Sequence, residues 1–329
     1  MKKRTYTVRF VTPAFLGNAN QDGQWRTPPF KHLLREWWRV AWALENDPAK
    51  WEEMRNVEGR LLGHAWLKDD RNERGQKVSA RRSQVRMRLD PWADGTMEKM
   101  PSTKPVGDGR NAVASHLYLG YGPVNSAAEL EMSHPLDPDR DQASFTLAWP
   151  EMWPGAEFIE LALVFIHAYG TVGGRSRNGW GSVAFHPSPL EQVDGKATPP
   201  LRDWRECLRQ QWAHAIGSDG KGPLIWRTET RRDWKAVIEE LAAIRKRVNS
   251  LAKRHGQREV LNQPVAGRCK RVPSNLRFKV REDGNGGCFG VVFHMPFLPP
   301  GVDAKAAVRT WPQVHDFLDD HDVLQRSPS

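Results

Sequence analysis

The sequence predicts an α+β chain in two parts, on three observations. Residues 4–11 alternate as a strand does, two amphipathic stretches at helical spacing lie among short apolar runs, and a Pro- and Gly-rich segment at 187–200 separates this first half from a smaller, more helical and strongly basic second half. With 329 residues and 39% hydrophobic content, the chain can fill the cores of two ordinary domains.

The elements follow in order. RTYTVRFV puts Tyr6, Val8 and Phe10 on one face of an extended segment and Thr5, Thr7 and Arg9 on the other. Thr27 is placed to cap a helix whose first positions hold Pro28 and Pro29, where a missing N–H costs nothing. Phe30, Leu33, Leu34, Trp37, Trp38, Ala41 and Trp42 then recur at the spacing of a buried stripe, while Lys31, Arg35 and Arg39 form a row on a different face. Residues 51–63 read as a helix. The run from Ser79 alternates at Val85, Met87 and Leu89 and carries Arg81, Arg82, Arg86 and Arg88, and residues 91–110 read as a loop. HLYLGYG from His116 and SFTLAWP at 144–150 read as strands. Pro154 opens a helix with Phe158, Leu161, Ala162, Phe165 and Tyr169 on one face, and Trp180 to Phe185 restarts a strand. Strand, helix, strands, helix, strand is the βαββαβ order of a ferredoxin-like unit enlarged by helical insertions. The division falls into 1–190 and 191–329, the latter with helices at 201–216 and 231–255, strands at 276–281 and 288–294, and a final helix at 303–318.

The formal charge of +10 asks for a polyanionic partner, nucleic acid or an anionic membrane. No run of about 18 apolar residues exists, and Met1 to Phe10 is charged with no apolar stretch behind it, which points away from a membrane and to the cytoplasm. Cys207, Cys269 and Cys288 are widely spaced and lack histidines at ligand spacing, so neither a disulfide nor a structural metal is expected, and no cofactor motif is present. Fifteen tryptophans against four tyrosines serve cores, protein interfaces and base stacking alike.

Two stretches carry candidate chemistry. Gly170 to Ser182 holds five glycines, Arg175, Arg177, Asn178 and Trp180 within thirteen residues. Glycines let backbone N–H groups approach an anion and arginines pair with phosphate oxygens, so Gly173, Gly174, Arg175, Ser176, Arg177, Asn178 and Trp180 form a candidate cradle for an RNA backbone. The loop follows a helix and has no Lys-Ser or Lys-Thr after it, which excludes a nucleotide-binding P-loop. An ordinary glycine-rich turn with solvated arginines is the plainer alternative. Lys31, Arg35 and Arg39, with Arg26 just ahead, could line a groove for a phosphate chain or simply form a solvated face; the basic runs Arg81–Arg88 and Arg268–Arg281 carry the same ambiguity. His32 and His167, the latter near Tyr169, have the chemistry for metal-independent RNA cleavage but equally that of histidines without a catalytic role. Asp69 and Asp70 sit in a charged loop, where solvation explains them.

Beyond composition, VTPAFLGNANQDGQWRTPPFKHLLREWWRVAW resembles the amino-terminal block of the RAMP superfamily of CRISPR-associated proteins, in particular the first subunit of type III-B (Cmr) effector complexes. A TP-x-F-x-G loop is matched by Thr12, Pro13, Phe15 and Gly17, and the helix after it by Arg26, Pro28, Phe30, Lys31, Leu34, Arg35, Trp37, Trp38 and Arg39. GGRSRNGWGS, from Gly173 through Gly179, Trp180 and Gly181 to Ser182, resembles the superfamily's glycine-rich loop, and RVPSNLRFKV more loosely a second-half strand. The resemblance implies two ferredoxin-like (RRM-like) modules in a complex that carries a CRISPR guide RNA and captures complementary target RNA in antiviral defence. It also implies other RAMP-family subunits as partners and a place near the 3′ part of the guide. Slicing in such complexes rests on a loop aspartate of the repeated subunits, with which no position here aligns, so a non-catalytic RNA-binding role is expected. An endoribonuclease trimming guide precursors and a mainly structural adaptor are the alternatives.

Overall fold

A computed structural model describes the chain except residues 66–69, 72–73, 110–111, 193–197, 253–254, 262–273 and 329. Asp69, Cys269 and the Arg268 end of the second basic run therefore lie outside the described residues.

In the first half, β1 (Lys2–Phe10) leads through α1 (Thr27–Trp42) and α2 (Trp51–Leu62) to β2 (Arg86–Asp90) and β3 (Gln142–Trp149), then α3 (Phe158–Tyr169) and β4 (Val183–His186). The sheet order is β2-β3-β1-β4, all antiparallel, with Tyr6 opposite Phe145 and Val8 opposite both Ala143 and Phe185. Because alternate side chains share a face, this register collects Tyr6, Val8, Phe10, Phe145 and Phe185 on the side that α1 and α3 cover. All seven residues of the α1 apolar stripe are buried there. Phe10 stacks on Trp25 with ring centroids 5.1 Å apart, and Trp37 stacks on Tyr169 at 5.9 Å.

The second half repeats the pattern. β5 (Ile225–Thr228), α4 (Trp234–Ser250), β6 (Leu276–Glu282), β7 (Cys288–His294), α5 (Ala304–Asp319) and β8 (Leu324–Arg326) build an antiparallel sheet of order β6-β7-β5-β8. In each sheet the strands, numbered along their own half, thus run second, third, first, fourth. Asp233 and Asp303 cap α4 and α5, accepting the N–H groups of Ala236 and of Lys305 and Ala306.

The second sheet is covered on both faces, and its strands show it. Phe278, Val280 and Val292 join the core under α4 and α5, whereas Phe289, Val291 and Phe293 join the core of the first half, Phe293 lying edge-on to Tyr169 at 5.2 Å. Arg277 and Lys279, alternating with the apolar residues of β6, are buried on the first-half side as well. Lys279 reaches the end of α3, its Nζ donating within 2.7–2.9 Å of the carbonyls of Ile166, His167, Gly170 and Val183. A helix leaves its last carbonyls without intrahelical donors, and a buried ammonium here supplies them.

Two sequence expectations are corrected. HLYLGYG is not a strand: Ser115–Gly120 is a short helix, whose buried His116, Leu119 and Gly120 follow helical spacing, with α4 packed beside it. The expected helix at 201–216 shrinks to Trp204–Cys207, because Leu201–Asp203 and Ile216–Asp219 pair as parallel strands on either side of it. Among the described residues no helix is long and apolar enough to cross a membrane.

Candidate nucleic-acid interface

The cationic row of α1 lies against α2 and the segment that precedes β2. Glu58, on the buried side of α2, accepts from Arg35 at 2.8 Å and from both Nε and an amino group of Arg39 at 3.0 and 2.9 Å. Arg35 also donates to the carbonyls of Leu62 and Gly63. A buried carboxylate between two guanidinium groups is compensated, and it fixes both groups in one orientation. Lys31, one turn earlier, makes no ion pair among the described residues; burial and the charge of Arg35 pull its pKa below the ordinary lysine range.

A second carboxylate does the same work next door. Asp70 is 1% exposed. It accepts two hydrogen bonds from Arg81, at 2.7 and 3.0 Å, lies 2.7 Å from His64 Nε2, and has Arg60 at 3.5 Å. The hydrogen bond from Arg81, against the cost of burial and with help from His64, holds its carboxyl well below the usual range. Asp70 is thus an organising anion inside a cation cluster, and the solvated loop acid expected from the sequence is corrected.

Two clefts that share His64 lie beside these anchors. One of ≈ 630 Å³ is lined by Lys31, His64, Arg81, Arg82 and Arg86. A smaller one of ≈ 180 Å³ shares His64 with it and adds Arg35, Arg39 and Arg55 around Glu58. The result is a basic trench of two adjoining clefts in which cations outnumber the two buried carboxylates.

The glycine loop has a different setting. Its N–H groups are largely used within the protein: Gly174 donates to Phe15 O, Gly179 to Ser176 O and Gly181 to Pro13 O, at 2.9–3.0 Å. Thr12 Oγ1 donates to Gly179 O and accepts from the Ser182 N–H. The TP-x-F-x-G segment and the glycine loop, far apart in sequence, are therefore one hydrogen-bonded unit. A Cβ on Gly181 would lie 2.0 Å from Val172 O, and one on Gly173 2.7 Å from Phe15 O. The glycines are required by this close backbone approach.

The loop's side chains divide. Trp180 is 0% exposed, edge-on to Phe15 and Trp234 in the second core. Asn178 donates to Leu119 O, Arg175 to Tyr121 O, and Arg26 to Gly17 O, all internal acceptors. Arg175 is nevertheless half-exposed, as are Gly173, Gly174, Ser176 and Arg177. Arg177 stands with Arg277 and Glu36 where the loop meets β6; burial and the charge of Arg277 lower its pKa to about 10. Burial works against the charge of Glu36, yet Arg277, 2.7 Å away, and Arg177 hold its pKa down. The structure thus gathers Lys31, Arg35 and Arg39 in the trench and sets Arg177 at the junction of the two sheets, with Arg175 apart beside Tyr121. His32 is exposed on α1. His167 is half-buried, accepts the Phe185 N–H on Nδ1, and is kept neutral by burial and by Lys279 and Arg281, with a pKa of about 3. No group of three or more potential metal ligands occurs among the described residues.

Sequence reasoning missed both anchors. A signal for Glu58 existed, since it falls on the face of α2 that Met54, Leu61 and Leu62 bury, and an acid at such a position needs cationic partners.

No family model and no curated protein matches the sequence significantly. Solved structures do match the fold: the neighbours are proteins of type III-B CRISPR effector complexes. A chain in the cryo-EM structure of the type III-B Cmr-beta complex bound to cognate target RNA and AMPPnP, in the presence of ssDNA, aligns with a TM-score of 0.50 and 13% identity over 95% of this chain and 98% of its own. Apo Cmr1 from Pyrococcus furiosus aligns with a TM-score of 0.45 and 15% identity over 94% and 92%. These neighbours are of the kind that the sequence resemblance names.

Proposed function

We propose that this chain is a non-catalytic RNA-binding subunit of a type III-B CRISPR ribonucleoprotein, with the α1–α2 trench holding the phosphate backbone of guide or target RNA. The observation that carries this reading is the pair of buried carboxylates, Glu58 and Asp70, which fix Arg35, Arg39 and Arg81 beside the unpaired Lys31. Preorganised guanidinium groups lose little freedom on meeting phosphates. The fold shared with a Cmr-beta chain over nearly the whole length supports membership of such a complex. The repeated strand order of the two sheets supports reading residues 1–190 and 191–329 as two ferredoxin-like modules. Arg177, at their junction, and Arg175, beside Tyr121, are read as a second contact to RNA or to a neighbouring subunit, and a position toward the 3′ end of the guide is part of the same proposal. Burial, with Lys279 and Arg281, keeps His167 neutral, which takes it out of a general-acid role at neutral pH.

Co-purification of the tagged chain from its own host, with sequencing of the bound RNA, tests the reading. Small RNAs sharing a CRISPR repeat tag, together with other RAMP-like subunits, are expected. Recovery of the chain free of RNA and of such subunits contradicts it. In EDTA, defined cleavage of repeat RNA that His167→Ala or His32→Ala abolishes would replace the non-catalytic reading with an endoribonuclease.

A further inference from the structure

The trench does not end at Arg39. That residue also lines a third cleft, of ≈ 560 Å³, which lies between the start of α2 and the segment 209–212. The volume suits a small planar group with its attached sugar and phosphate. Arg39, Arg55 and Arg209 line the cleft and no carboxylate does, the Arg39 guanidinium being shared with Glu58. Such a lining favours an anionic occupant.

The same walls are aromatic and rich in hydrogen-bonding groups. Trp51 is 44% exposed, and the Arg55 guanidinium lies 5.8 Å from its ring centroid. Trp212 lines the cleft as well, partly buried against the first core. Gln210 and Gln211 add two amides whose side chains make no hydrogen bond among the described residues. The backbone beneath them is fixed, since Gln210 donates to Cys207 O and accepts from Leu298 N–H. A flat π surface, free amides and an excess of arginines over carboxylates meet in one ligand chemistry, a nucleotide.

We infer that this cleft is a nucleobase pocket, seating one unpaired base of the RNA strand whose phosphates follow Arg39, Arg35 and Lys31 along the trench. The inference rests on the RNA-binding reading and adds a place where the strand is held by its base. Trp51 supplies the stacking surface, the two glutamine amides read polar edges without strict base identity, and Arg55 and Arg209 neutralise the flanking phosphates.

The test uses the full chain with single-stranded RNAs carrying 2-aminopurine at successive positions, a base whose emission falls when it stacks. One position, or a narrow window, should be quenched on binding. Trp51→Leu should abolish that quenching and weaken binding about tenfold, and Trp51→Phe should restore part of both. Gln211→Glu, an exposed change that puts a carboxylate into the cleft, should weaken binding to a similar degree with the melting temperature unchanged. Tight, salt-dependent RNA binding that Trp51→Leu and Gln211→Glu leave unaltered, with no position-specific quenching, would overturn the pocket while leaving the RNA-binding reading intact. Failure of the wild-type chain to bind any of the RNAs would instead overturn that reading, and the pocket with it.

Discussion

Replacing Lys279 by Met tests how the two halves are joined. The Nζ of this 1% exposed residue has four carbonyls within 2.7–2.9 Å, two of them, Ile166 and His167, in the last turn of α3. Three protons serve these acceptors, so at least three hydrogen bonds from a charged donor are lost in the variant. The Ile166 and Gly170 carbonyls keep the N–H groups of Gly170 and Val183, so the carbonyls left unpaired are those of His167 and Val183, at about 1–3 kcal/mol each. Against this, the variant no longer desolvates an ammonium, a cost of several kcal/mol that shows in the lowering of the lysine pKa by burial and by Arg281. Met fills a similar volume, so little is lost in packing. The net is a loss of about 1–2 kcal/mol, a measurable share of the 5–15 kcal/mol of a typical fold. Urea unfolding followed by tryptophan emission should show a lower midpoint, and hydrogen exchange should quicken at the α3 end and along β4. A midpoint equal to the wild type, or a higher one, would refute the assignment of Lys279 as the donor that closes the end of α3.

Other perturbations give equally definite outcomes. Asp70→Asn removes the anion shared by Arg81 and His64 and should cost about 3 kcal/mol in unfolding free energy; in the wild type this contribution is present above the unfolded carboxyl pKa and lost as pH falls below it, since the folded pKa is depressed. His315 is buried against His294 with Nε2 3.0 Å from Nδ1, and burial lowers its pKa to about 4. The unfolded chain therefore binds the extra proton between about pH 6.5 and 4, and the unfolding free energy should fall with acidification at up to about 1.4 kcal/mol per pH unit from this group, lowering the melting temperature. In His315→Gln that slope should be shallower. Gly181→Ala sets a Cβ 2.0 Å from Val172 O at φ +60° and should cost about 3 kcal/mol in thermal denaturation; Gly284→Ala, at φ +85° with open space around it, should cost only about 1 kcal/mol.

What the sequence disclosed and what it withheld follow from the range of the interactions involved. The α1 stripe and the strand Tyr6–Val8–Phe10 are local periodicities, and both are buried as expected. The helix at 115–120 was misread because Leu117 and Leu119 mimic strand alternation, while the packing of α4 that settles the matter lies more than a hundred residues away. Strand β5, only four residues long, has too short a pattern to stand out, and its neighbours β7 and β8 come from distant sequence. In the site, the charge row on α1 was legible, but its organisation was not, because Glu58 and Asp70 pair with arginines 11–23 residues away. The arginines and glycines of the glycine loop stood out by composition. That its N–H groups are bound to the 13–15 segment, and that Trp180 is core, follows from a contact between two motifs more than 150 residues apart.

The central claim is that the trench on α1 and α2 binds an RNA backbone. It is tested most directly by the affinity of the chain for single-stranded RNA as a function of salt, compared with the triple variant Lys31→Ala, Arg39→Ala, Arg86→Ala. Counterion release gives a slope of about −0.7 in log K against log salt for each phosphate contact. The expected result is strong salt dependence in the wild type and a slope shallower by about 2 in the variant, with weaker binding at every salt concentration. A variant with the same affinity and the same slope as the wild type would show that the RNA, if bound, lies elsewhere on the molecule, and would contradict the account.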